Sequence, residues 1–144
     1  MSNAAEAALL DLLFLNTDWA NVGDAGGLQN SAAAGSFYIA LHTSDPGEAG
    51  DQTTNEATYT SYARVAVART SGGWTRSSST ISNTALVQFP QATGGTNTIT
   101  HFSIGTLSSG AGQIILSGSL SSSLSVSNGI QPQFAAAALT ATVD

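Results

Sequence analysis

The chain has 144 residues and a formal net charge of −6, with no lysine, no cysteine and only three arginines: Arg64, Arg69 and Arg76. Ala, Gly, Ser and Thr fill more than half of it, and charged residues reach 8%, where a freely dispersed domain carries roughly 25–35% on its surface. This balance excludes nucleic acid and anionic membrane as partners, because both are bound through Lys and Arg. It also excludes disulfides, thiolate metal sites and a cysteine nucleophile. Hydrophobic residues at 42% argue for a folded chain rather than a disordered one, and its length suits one domain.

Residues 3–15 are predicted to form a helix. Asn3 is the expected cap, with Glu6 three residues on. Leu9, Leu12 and Leu13 fall on one stripe, and Leu10, Phe14 and Leu15 widen it beyond one face, so part of the helix should dock on something else. Glu6 and Asp11 interrupt any signal-peptide pattern, and no run approaches the roughly 18 apolar residues of a membrane span. Eight of the nine acids precede residue 57. The stretch from Trp19 to Gly35 reads as an extended arm, so that 1–35 is a helix and arm belonging to the same unit as a β domain over 36–144.

Strand patterns follow in short succession. Phe37, Ile39 and Leu41 alternate with polar or small neighbours, as do Val65 and Val67, Val87 and Phe89, and Phe102 and Ile104. Ile114, Leu116 and Leu120 form a further set, and Leu124 with Val126 another. Phe134 to Thr142 closes the series. Turns are marked by Asp45-Pro46-Gly47, Ser71-Gly72-Gly73, Thr93-Gly94-Gly95, Ser109-Gly110 and Asn128-Gly129. Seven or eight short strands with this spacing predict a mainly β fold, an antiparallel sandwich of jelly-roll or immunoglobulin-like type with an N-terminal helix.

Chemistry is sparse. His42, Asp45 and one of many serines could make a triad on paper, but no G-x-S-x-G elbow occurs. Both His42 and His101 sit in strand patterns that suit a structural role, so neither an enzyme nor a catalytic residue is expected. Asp45, Glu48 and Asp51 stand three apart in an oxygen-rich loop, yet not at EF-hand spacing. A solvated acidic turn outweighs a metal site there, and no metal or cofactor is expected. Arg64 and Arg69 lie on opposite faces of one strand and are assigned to ion pairs within the chain or across a subunit contact. Trp19 and Trp74 are candidate interface residues.

The segment from Phe37 through the Leu-His-Thr-Ser-Asp-Pro-Gly-Glu-Ala-Gly block to Ala57, continuing through Tyr59–Arg69, resembles a widespread group of small virion proteins of tailed bacteriophages. Val87-Gln-Phe-Pro, Ile99–Thr106, Ser108–Gly112 and the leucine-rich N-terminus with Asn16–Asp24 extend the resemblance over nearly the whole chain. It implies a non-enzymatic virion protein, made in the host cytoplasm and bringing no catalytic residues. The main expectation is a head decoration (cement) protein bound to the major capsid protein. The alternative is a tail or collar component, such as a tail-fibre or adsorption protein, bound to tail or collar proteins. Unguarded sheet edges and the small-residue surface further predict a homo-oligomer, trimer or dimer. Its expected contacts are Leu9, Leu10, Leu12, Leu13, Phe14, Trp19, Arg64 and Arg69.

Overall fold

The computed structural model describes residues 1–143. Along the chain come helix α1 (Asn3–Phe14) and strands β1 (Ser36–His42), β2 (Val65–Ala68), β3 (Trp74–Ser77), β4 (Thr80–Asn83) and β5 (Val87–Gln88), followed by β6 (Asn97–Gly105), β7 (Ile114–Val126), β8 (Gln133–Phe134) and β9 (Thr140–Thr142). The fold is mainly β, built of antiparallel sheets with one N-terminal helix, in the class the alternation predicts. The chain forms two compact units: one of Met1–Ser36, Val67–Val87 and the segment from Phe134 onward, the other of Phe37–Ala66 and Gln88–Gln133.

In the first unit, Ser2 rather than Asn3 caps the helix. Its backbone is extended (φ −79°, ψ 150°) and its hydroxyl accepts from the Ala5 N–H, so the helical turn begins one residue earlier than the capping-box spacing suggests. Leu10 and Phe14, one turn apart, are fully buried. Phe14 meets Trp74 edge-on, with ring centroids 4.8 Å apart, a preferred aromatic geometry. At the helix end, Arg69 donates to the carbonyls of Leu12 and Leu13. It thereby satisfies two acceptors that the helix itself cannot, and sets a positive charge at the negative end of the dipole. Arg76 pairs with Asp11.

The sheet of this unit runs β3-β4-β9, with Trp74 opposite Asn83 and Ile81 opposite Ala141. Trp74, Ile81, Asn83 and Leu139 are buried, while Thr75, Ser77, Thr140 and Thr142 are exposed. The Asn83 carboxamide donates to the Ala85 and Ala135 carbonyls and accepts from the Leu139 N–H. A buried amide satisfied in this way pins the turn before β9.

The second unit is centred on an antiparallel sheet of order β2-β1-β6-β7; β2 starts in this unit and carries the chain out of it. Strand β1 pairs β6 from Tyr38 opposite Gly105 to His42 opposite His101. The two runs Ile114–Leu120 and Leu124–Val126, separate by sequence pattern, form the single 13-residue strand β7. It is an edge strand. Register shifts interrupt its pairing between Ile99 and His101 and between Ile104 and Gly105. Such bulges blunt an edge against further pairing, a task that other proteins give to lysine. Strands β5 and β8 form a separate two-stranded ladder.

Candidate functional site: a buried polar knot

The acid-rich loop after β1 returns its residues to the second unit's interior. His42, at the end of β1, is fully buried. Its Nδ1 donates to the Thr54 carbonyl and its Nε2 accepts from the Ser103 hydroxyl, each at 2.8 Å. This arrangement fits the neutral ring, and burial holds the imidazole pKa below its ordinary value despite the nearby Glu56 carboxylate and the Thr54 bond. A serine hydroxyl on a histidine nitrogen is the contact that activates a nucleophile. Here both residues are fully buried, so no substrate can reach them, and the far ring nitrogen meets a carbonyl rather than a carboxylate. Asp45, the paper partner of His42, instead accepts from the Gly47 N–H.

Gln52 is also fully buried. Its Nε2 donates to the Tyr38 carbonyl, and its Oε1 accepts from the Leu107 N–H and from Arg64. The amide lies in a slot that only glycine leaves open: a Cβ on Gly105 or Gly112 would stand 2.1 or 2.2 Å from it. Arg64 sits beside it with every N–H used. Nε and one Nη2 proton reach the two oxygens of Glu56, at 2.6 and 2.8 Å. The remaining bonds go to Gln52 and to the carbonyls of Leu107 and Gly110. Hydrogen bonds to Glu56 raise the guanidinium pKa further. Tyr62 donates its hydroxyl to Glu56 and accepts from the Leu41 N–H. Burial pushes its pKa up, and that of neighbouring Tyr59 up to about 12.

These groups form a knot that joins the segments on which the resemblance rests: the block after β1, the tyrosine-rich stretch, the end of β6 and the Ser108–Gly112 turn. Alternation draws attention to Arg64 and His42 but not to Gln52, Glu56, Tyr62 or Ser103. Their partners lie up to 61 residues away, beyond the range of local patterning.

The other predicted residues have local uses. Arg69, like Arg64, is engaged within its own chain. Leu10 and Phe14 face inward, whereas Leu9, Leu12, Leu13 and Trp19 are only partly covered. Trp19 exchanges two backbone bonds with Leu28. Asp51 accepts from the hydroxyl and N–H of Thr53, which lowers its pKa. Among the described residues, no group of three or more His, Asp or Glu converges to hold a metal ion. No helix among them is long and apolar enough to cross a membrane.

A family model described as podophage GP4 fiber I protein gp80 matches residues 1–142. A comparison with curated proteins finds no match. The chain belongs to that fibre family, whose members are structural proteins of tailed-phage virions.

Proposed function

We infer that this member of the podophage fibre family is a non-enzymatic component of the tail fibre, assembled with neighbouring tail proteins and with copies of itself. The observation that carries the reading is the family match over residues 1–142. It favours the fibre alternative over the head-decoration expectation. The chemistry of the chain agrees. Its histidine–serine contact is sealed, its arginines serve the fold, and its buried polar groups hold segments together. The described residues contain one 12-residue helix and strands of 2–13 residues, so this chain contributes a folded module rather than a long shaft. Leu9, Leu12, Leu13 and Trp19 are the residues assigned to its contacts.

Stoichiometry tests the reading. Quantitative mass spectrometry of purified particles should give few copies per particle relative to the major capsid protein. A ratio near one copy per capsid subunit would restore the decoration reading.

A further inference from the structure

A cavity of about 230 Å³ opens beside the polar knot on the second unit, walled by Glu56, Tyr62, Ala63, Ser108, Ser109 and Gly110, with Arg64 behind. We propose that this cavity is a binding site for one neutral saccharide ring. The inference does not depend on where in the virion the protein sits.

The lining decides the class of ligand. An anion finds no donor in the guanidinium, because all its N–H groups are spent on Glu56, Gln52 and the carbonyls of Leu107 and Gly110. A cation gains little, because both oxygens of Glu56 are already met by the Nε/Nη2 edge of that guanidinium. One carboxylate is too few for a metal ion. What remains on offer is hydrogen bonding to a neutral guest. Glu56 Oε2 accepts only from Arg64 and keeps a free lone pair. The hydroxyls of Ser108 and Ser109 are exposed and both give and accept. Ala63 and Tyr62 add apolar wall. Alternating hydroxyls and C–H faces are the chemistry of a sugar ring.

Size and rigidity agree with this. Pockets for drug-sized ligands run to about 300–1,000 Å³, so 230 Å³ suits a single ring. One buried guanidinium grips both Leu107 and Gly110, which fixes the serine turn against Glu56 before any ligand arrives. Such preorganisation lowers the ordering cost of binding.

The test is amide NMR of the full ¹⁵N-labelled chain, titrated with glucose, galactose, mannose and N-acetylglucosamine, with glucuronate as the charged comparison. At least one neutral sugar should shift the signals of Glu56, Ala63, Ser108, Ser109 and Gly110, with Kd in the ~1 mM range expected of one small ring. Ala63→Leu, an exposed position on the wall, should abolish these shifts while the melting temperature stays near that of the parent. Ser121→Ala, on exposed β7, should leave them intact. Absence of shifts with all four neutral sugars would overturn the proposal. So would shifts that survive Ala63→Leu, or stronger binding of glucuronate than of any neutral ring.

Discussion

Arg64 and Arg76 are both paired with carboxylates, but the two pairs differ in what surrounds them. The Arg64 side chain is 2% exposed, the Arg76 side chain 30%. Removing one member of a buried pair strands the other and costs about 3–5 kcal/mol, whereas a half-buried pair such as Arg76–Asp11 falls closer to the ~0–1 kcal/mol of surface pairs. Arg64→Lys supplies three donors where five are used, so urea denaturation should show most of the larger loss. Arg76→Ala should stay near the smaller one. His42 gives a pH signature. Its folded pKa lies below the ordinary 6.5, so the unfolded chain takes up a proton first as pH falls. Stability from this group is therefore complete above pH 6.5 and declines below it until the folded pKa is passed. The groups near His42 are Glu56, Arg64, cross-strand His101 and Ser103. The melting temperature should drop as the pH falls below 6.5, and His42→Gln should flatten that slope even if it lowers stability at neutral pH. An unchanged slope would remove His42 from the account.

At the scale of elements, strong alternation was legible and long-range pairing was not. Phe37-Tyr-Ile-Ala-Leu announces β1, and the turns at Gly47, Gly95, Gly110 and Gly129 all have glycine at positive φ. Local pattern does not announce the β3–β4 hairpin. Its residues are mostly Ser and Thr, and its turn holds Ser78 at φ 54° where an Asn-Gly pair would have signalled it. The two runs joined in β7 were separated by serines that a bulged edge strand tolerates. The helix was readable from its leucines, but which of them face inward depends on Trp74, some 60 residues away. Phe14→Ala should cost about 3–5 kcal/mol, because it opens a cavity against that ring. The knot makes a second demand. Gly112→Ala drives a methyl group into the Gln52 amide and should cost about 1–3 kcal/mol, while Gly110→Ala, where a Cβ meets nothing within 4 Å, is penalised only through its positive φ. Thermal melts of the two variants should rank them in that order.

For the whole molecule, composition spoke to partners before any site did. A net charge of −6 with no charged residue between Arg76 and Asp144 leaves the second half of the chain without repulsion or ion pairing to direct association. That half can approach another protein without desolvating a charge. The fibre assignment predicts that such contacts are made in the tail. Gold-labelled antibody against the purified protein, imaged on intact particles by electron microscopy, tests this most directly: label should gather on the tail fibres, and label distributed over the head would contradict the account.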